Sequence, residues 1–448
     1  MEEESSLGKR LMRYANVTST MGGVAMRMAG ERYLGLKGFD QSAARELGEA
    51  LGKLKGPLMK VAQLLATIPE AIPQEYRQEL AKLQSQAPSM GWPFVKRRMA
   101  AELGADWQKN FAVFEQEAAA AASLGQVHRA YLEDGTKLAC KLQYPDMAST
   151  IAADLQQLRL IMGIFERYDK SVSTGQIYQE IADRLQEELD YSREARHMAM
   201  YRQMLAAEPN IHVANVLPHL STNRLLTMGW LEGLPLLSFI EERPEIRNQL
   251  ALNMFRAWYV PFYYYGVIHG DPHPGNYTVR EDSGINLLDF GCVRIFPPSF
   301  VKGVIDLYHA LQSNDMDMAA HAYESWGFRG LSCELMDVLN VWARFIYGPL
   351  LEDKERLIGE AKNGVYGRET AEKVHAELKK LGGVTVPREF VFMDRAALGL
   401  GSVFIHLKAE LNWYRLFHHL IEGFDLAALE ERQTSLLQQH GLAVAVIG

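Results

Sequence analysis

Apolar residues along the 448-residue chain change period several times, and each change predicts a different element. Across residues 41–65 they recur at three- and four-residue spacings, the period of a helix with one buried face, until Pro69 and Pro73 break the pattern. The first hundred residues therefore read as helical. Residues 7–35 mix Lys9, Arg10, Arg13, Arg27 and Arg32 with Met, Leu, Val and Gly. Such a segment either packs on the body of the protein, the favoured expectation, or lies on a membrane surface. From Phe111 the texture shortens. An alanine run at 118–122 leads into Ser123-Leu124-Gly125-Gln126-Val127-His128, a polar turn at Glu133-Asp134-Gly135 and the run Leu138-Ala139-Cys140-Lys141-Leu142. Asp-Gly between two such runs predicts a strand hairpin. Residues 154–201 read as one long helical stretch, followed by strand-like pieces at 213–216 and 224–228. From Leu237 the chain is mostly helical, except for a loop-and-strand region at 267–296 dense in Gly, Pro and Asp. The outline is α+β: a helical extension at 1–105, a small mixed lobe at 106–230 and a larger helical lobe at 231–448.

Composition narrows the function. A net charge of −8 argues against a nucleic-acid binder with a broad basic face. Three scattered cysteines with no CxxC pair argue against a disulfide framework or cysteine-rich zinc site and favour a reducing compartment. Met1 is followed by acidic residues, unlike a secretory signal. No apolar stretch reaches the ~18–20 residues that span a bilayer. The expectation is a cytoplasmic protein, or one on the inner face of a membrane that it does not cross.

The strongest chemical signal is His269-Gly270-Asp271-Pro272-His273-Pro274-Gly275-Asn276, followed thirteen residues after Asn276 by Asp289-Phe290-Gly291. Phosphoryl transfer asks a protein mainly for positioned magnesium and charge neutralisation. Asp271, five residues before Asn276, puts a carboxylate and an amide oxygen on one tight loop. The first can orient an attacking hydroxyl or water; the second can ligate magnesium. Asp289, at the end of a short apolar strand, supplies the second metal-binding carboxylate. Spacing and separation together match a kinase catalytic loop and Asp-Phe-Gly segment. Either motif alone would be weak, a stiff surface turn or a chance tripeptide. His269, Asp271, His273 and Asp289 can also be read as a zinc or iron site, but that leaves Asn276 and everything upstream unexplained. Lys141 ends an apolar strand, as a phosphate-pairing lysine does; a lone strand lysine is more often solvated, and its place after the small-residue loop and hairpin turn reverses the odds.

Together these residues resemble the UbiB family of atypical kinases, which support ubiquinone biosynthesis. Ala119-Ala120-Ala121-Ala122-Ser123-Leu124-Gly125-Gln126-Val127 is similar to the alanine-rich loop that replaces the glycine-rich loop of ordinary kinases. Lys141-Leu142-Gln143-Tyr144-Pro145 resembles the family's lysine strand and its exit, and Glu188-Leu189-Asp190 its ExD motif. Lys60-Val61-Ala62-Gln63 stands where the family has KxGQ. Ala62 replaces the motif glycine, which favours helix by about 1 kcal/mol and leaves Lys60 and Gln63 on one face.

The resemblance implies a protein-kinase-like two-lobe fold with ATP or ADP and Mg2+ as cofactors. It implies that Glu194 partners Lys141, and that Ala120, Ala121, Ala122, Ser123 and, less directly, Met228 contact the nucleotide. It places Lys60 and Gln63 against Glu188 and Asp190 in a regulatory extension that restricts access for protein substrates. Partners expected from it are the nucleotide, membrane-surface lipids and ubiquinone-biosynthesis proteins, with no nucleic acid. Two other readings compete with a UbiB-like ATPase or unorthodox kinase. One is a small-molecule phosphotransferase of the aminoglycoside or choline kinase type, which shares the His-Gly-Asp-to-Asn loop. The other is a nucleotide-binding pseudokinase scaffold, disfavoured because every polar group the chemistry needs is present.

Overall fold

The computed structural model describes residues 90–122, 124–145, 147–149, 151–152, 155–156, 159, 174–359, 368–381 and 387–443. Lys60, Gln63, the basic segment 7–35 and Ser123 lie outside the described residues. Contacts divide the chain into one unit of residues 1–192 with 217–228 and a second of 193–216 with 229–448.

In the first unit, β1 (Val113–Ala122), β2 (Gly125–Tyr131) and β3 (Lys137–Gln143) form an antiparallel meander. The sheet order is β1-β2-β3-β5, where β5 is Leu225–Gly229 and the intervening β4 (Ile211–Val213) belongs to the second unit. The Asp-Gly turn connects β2 to β3 as expected, Gly135 taking a φ of 82°. The alanines do not form a loop. Ala118, Ala120, Ala121 and Ala122 lie in β1, opposite His128, Val127, Gln126 and Gly125, with irregular register at two points. Alanine's helical preference is worth only tenths of a kcal/mol against most residues, and pairing with β2 outweighs it.

One face of this sheet packs on α1 (Trp92–Leu103). Val95 and Met99 of that helix join Trp107, Phe111, Cys140 and Leu142 in a buried cluster. Trp107 meets Phe114 edge-on at 5.1 Å and Trp92 at 6.1 Å. The single helix expected over 154–201 is instead broken: α2 (Thr174–Glu187) ends, the chain turns through Glu188, Leu189 and Asp190, and α3 (Tyr191–Met204) begins. Tertiary hydrogen bonds take the backbone groups there. The Gln143 side chain donates to the Leu189 carbonyl, and the Tyr191 N–H to the Asn223 carbonyl.

In the second unit, α4 (Pro244–Tyr265) starts on a proline, where no intrahelical N–H bond is lost, and buries Leu250, Met254, Phe255, Trp258 and Phe262. It leads into short strands: β6 (Leu234–Pro235) precedes it, and β7 (Val267–His269), β8 (Tyr277–Val279), β9 (Ile285–Leu287) and β10 (Val293–Ile295) follow. They form a four-stranded sheet of order β4-β9-β8-β6 and a β10-β7 pair. The rest is largely helical: α5 (Pro298–Ser313), α6 (Met316–Ser325), α7 (Cys333–Tyr347), α8 (Arg368–Lys380), α9 (Arg388–His406), α10 (Trp413–Ile421) and α11 (Leu426–His440), with a small pair β11 (Arg356–Leu357) and β12 (Glu410–Leu411). Asp315, Ser332, Asn412 and Asp425 each cap a helix by accepting a backbone N–H. Trp413 is buried, and His418 is hydrogen-bonded to the Tyr308 hydroxyl. Among the described residues, no helix is long and apolar enough to cross a membrane.

Replacing Trp107, 2% exposed at the centre of the aromatic cluster, by Ala is expected to cost about 3–5 kcal/mol. Urea unfolding followed by far-UV circular dichroism measures it; a loss under 1 kcal/mol would show that the cluster does not hold α1 to the sheet.

Candidate active site

The two halves of the catalytic signature are brought together by a strand hairpin. β8 and β9 pair antiparallel, Tyr277 opposite Leu287 and Val279 opposite Ile285. The thirteen residues from Asn276 to Asp289 therefore fold back on themselves, and the Leu288 N–H donates to the Asn276 carbonyl at 3.0 Å. β7 and β10 close the other side, with His269 opposite Val293. The Gly270 N–H donates to the Cys292 carbonyl. A Cβ on Gly270 would lie 2.8 Å from the Cys292 Sγ and 2.9 Å from that carbonyl oxygen, so only glycine fits the approach.

Within the loop, the Asn276 Nδ2 donates to the Asp271 Oδ2 at 2.9 Å and more weakly to the Asp271 carbonyl at 3.3 Å. The His273 N–H donates to the other carboxylate oxygen, Oδ1, at 3.2 Å, and the buried Tyr277 hydroxyl to the Asp271 carbonyl at 3.1 Å. With its amide nitrogen engaged, Asn276 turns Oδ1, the atom suited to a hard cation, away from Asp271. Pro274 opens the short turn that holds Asn276 in place, and the Asn276 N–H donates to the His273 carbonyl at 2.9 Å.

Asp289 is half-buried, and its Oδ1 accepts the Gly291 N–H at 2.9 Å. Behind it, Phe290 is fully buried, its ring 5.0 Å from Tyr201 and 5.5 Å from His269. Both peptide groups of Phe290 are taken by α3: its N–H reaches Glu194 Oε1 at 3.4 Å, and its carbonyl is 3.1 Å from His197 Nδ1. His197 Nε2 is buried without a hydrogen-bond partner among the described residues. The imidazole is thus neutral with its proton on Nδ1, donating to Phe290. Burial, with Arg193, Arg294 and Arg196 adding to it, pushes His197 down to about 3. His269 is also buried and contacts the Asp289 carbonyl through Nε2, while Nδ1 faces the Asp271 N–H at 3.4 Å. A donor Nε2 and an acceptor Nδ1 are the two sides of a neutral ring.

Asp271, Asn276, Asp289 and Glu194 therefore stand in the second unit, and the first three share one loop-and-hairpin framework. α9 backs that framework: a Cβ on Gly399 would come within 2.1 Å of the Pro272 ring. Among the described residues no three of His, Cys, Asp and Glu converge as a metal-binding group, so the zinc or iron reading of His269, Asp271, His273 and Asp289 has no ligand cluster behind it. His197 and Tyr277 escaped the sequence reading. Their signals were present: His197 lies one helical turn after Glu194 on the same face, and Tyr277 directly follows Asn276.

In the first unit, Lys141 sits within β3 opposite Val127, 8% exposed, its ammonium 5.1 Å from the centre of the Tyr191 ring. Glu188 and Asp190 occupy the half-buried turn before Tyr191, tied to β3 through Gln143 and Leu189. Ala120 and Ala121 are exposed on β1, and Met228 is buried in β5.

The chain matches the ABC1 atypical kinase-like domain over residues 82–323. It is 32% identical over 280 residues to the chloroplastic protein ACTIVITY OF BC1 COMPLEX KINASE 7 of Arabidopsis thaliana, across 61% of this chain and 40% of that one. It is 26% identical to the mitochondrial atypical kinase coq-8 of Caenorhabditis elegans, across 92% and 55%. The mitochondrial atypical kinase COQ8 of Saccharomyces cerevisiae is 30% identical across 56% and 50%. The chain thus spans about half the length of these relatives. A structure of the Rv3197–erythromycin complex from Mycobacterium tuberculosis superposes with a TM-score of 0.57 at 26% identity, covering 86% of this chain and 97% of that one.

His197 gives this region a pH signature. The free imidazole titrates near 6.5 and the folded one near 3. Between those values the unfolded chain takes up a proton that the folded chain refuses, so stability falls as pH drops, by up to about 1.4 kcal/mol per unit from this group. His197→Asn keeps a donor for Phe290 but does not titrate. Urea midpoints between pH 7 and 5 are expected to fall less steeply in the variant; identical slopes would refute the assignment.

Proposed function

The chain belongs to the ABC1 atypical kinase-like family, and from that premise we propose that it is a magnesium-dependent ATP-binding atypical kinase or ATPase that supports ubiquinone biosynthesis. The observation that carries the reading is the joined framework of Asp271, Asn276 and Asp289. A carboxylate held by two N–H donors, an outward amide oxygen and a second carboxylate stand on one hairpin-closed loop.

The donor set fits magnesium, which takes oxygen ligands and keeps several waters. Asn276 Oδ1 and the Asp289 carboxylate would hold it, and the bound ion would neutralise charge on the transferring phosphate. Asp271 is assigned to orient the attacking hydroxyl or water; the amide of Asn276 and the His273 N–H hold its carboxylate for that purpose. Lys141 is assigned to the phosphates, since a buried ammonium in low-dielectric surroundings attracts anions more strongly than a solvated one. Glu194 supports the Asp-Phe-Gly segment through the Phe290 N–H. Ala120, Ala121, Ala122, Ser123 and Met228 are assigned to the nucleotide, and Lys60, Gln63, Glu188 and Asp190 to regulation by the N-terminal extension. Alanines on β1, at the end assigned to the phosphates, restrict the close backbone approach that glycine allows, which suits a site that handles the terminal phosphate unlike an ordinary kinase. A peripheral position on a membrane face fits a ubiquinone-pathway role.

Thermal shift with ADP and ATP, each with and without Mg2+, tests the site. A nucleotide at a hundred times its dissociation constant is expected to add about 2.7 kcal/mol. Asp289→Asn is expected to abolish the magnesium-dependent part; an unchanged shift would remove Asp289 from the metal site. Asp271→Asn is expected to keep binding while turnover falls by about 10²–10⁴, and full activity in that variant would end the role given to Asp271. Ala121→Gly is expected to change the preference between ADP and ATP, measured by competition titration.

A further inference from the structure

The second unit holds a partly open cavity of about 120 Å³ that the catalytic framework does not use. α4, α5, α7, α9 and α10 wall it, each contributing at least one aromatic side chain: Tyr259, Phe300, Trp342, Phe404 and Trp413 respectively. Among the described residues that line it, Asp394 on α9 is the one charged group. Its Oδ1 accepts the Trp342 indole N–H at 2.6 Å, and no cation pairs with it among the described residues.

Four other donors in the wall are committed elsewhere. The Tyr347 hydroxyl donates to the Val304 carbonyl, the Tyr323 hydroxyl to Asn340 Oδ1, the Trp326 indole to the Phe300 carbonyl and the Trp413 indole to the Arg356 carbonyl. Burial pushes the Asp394 carboxyl up to about 6, which still leaves it largely ionised at neutral pH. A carboxylate with one hydrogen bond amid aromatic rings has no counter-charge among the described residues, and uncompensated charge in such surroundings is costly. Aromatic faces attract cations, and more so where water is excluded.

We propose that this cavity binds a small apolar amine, with its hydrocarbon body among the aromatic side chains and its ammonium against the Asp394 carboxylate. The scale is one ring: an apolar cavity of about 150 Å³ accepts benzene. An anion would meet Asp394 with like charge. A neutral hydrocarbon would bury the carboxylate further without a partner. A zwitterionic lipid headgroup would bring a phosphate that no basic side chain meets among the described lining residues.

Titration calorimetry of the full chain at pH 7.5 with benzylamine, a cation at that pH, and with neutral benzyl alcohol tests the assignment. Benzylamine is expected to bind at least ten-fold more tightly. Asp394→Asn keeps an oxygen for Trp342; it is expected to reduce benzylamine to the level of benzyl alcohol and to leave benzyl alcohol binding unchanged, which also reports that the cavity is intact. Ala397→Trp, filling the cavity from α9, is expected to abolish binding of both. Equal affinity for the two ligands in the unaltered chain, benzylamine binding indifferent to Asp394→Asn, or binding of neither ligand would overturn the proposal.

Discussion

The peptide group is the constraint on which the candidate site depends, and two histidines enforce it. The carbonyls of Asp289 and Phe290 are consecutive, and each meets a buried imidazole, His269 for the first and His197 for the second. Buried carbonyls without partners are rare because each costs most of a hydrogen bond. Glu194 takes the Phe290 N–H from the same helical face as His197. The backbone on both sides of the Asp289 side chain is therefore fixed by groups that are not themselves reactive, and the carboxylate direction follows. Burial keeps the His197 ring neutral, and neutrality lets it present a single N–H to Phe290 while its other nitrogen stays bare.

Around that constraint, the short strands act as spacers. The β8–β9 hairpin converts a thirteen-residue separation into contact between Asn276 and the residue before Asp289. The β7–β10 pair approaches so closely at Gly270 that a methyl group has no room. Pro272, inside the same loop, rests on Gly399 of α9, so the helical part of the unit buttresses the loop from behind. α9 also carries Asp394 into the aromatic cavity. One helix thus packs against both the catalytic loop and the proposed amine site, although the two are built from different chemistry: hard oxygens in one, aromatic faces around a carboxylate in the other.

Much of this was legible in the sequence because the chemistry is local. Asp271 and Asn276 sit five residues apart on one turn, and Asp289 closes a strand whose apolar run announces it; short spacing leaves few geometries available. The α+β class, the Asp-Gly hairpin and the helical C-terminal half followed from hydrophobic period and turn residues for the same reason. Family membership followed from motifs in register, which composition alone would not have shown.

Tertiary structure decided what depends on partners distant in sequence. The alanine run became a strand because β2 offers it hydrogen-bonding partners, whereas its intrinsic preference is weak and helical. The expected helix over 154–201 broke at Glu188, Leu189 and Asp190, where Gln143 and Asn223, far away along the chain, claim backbone groups. His197 and Asp394 occupy ordinary helical positions in the sequence, and only burial, which no local pattern encodes, turned one into a neutral clamp and the other into a carboxylate with no counter-charge among the described residues. Local pattern named the reactive residues of this protein; long-range packing set their surroundings, because burial and pairing belong to the folded chain and not to any segment of it.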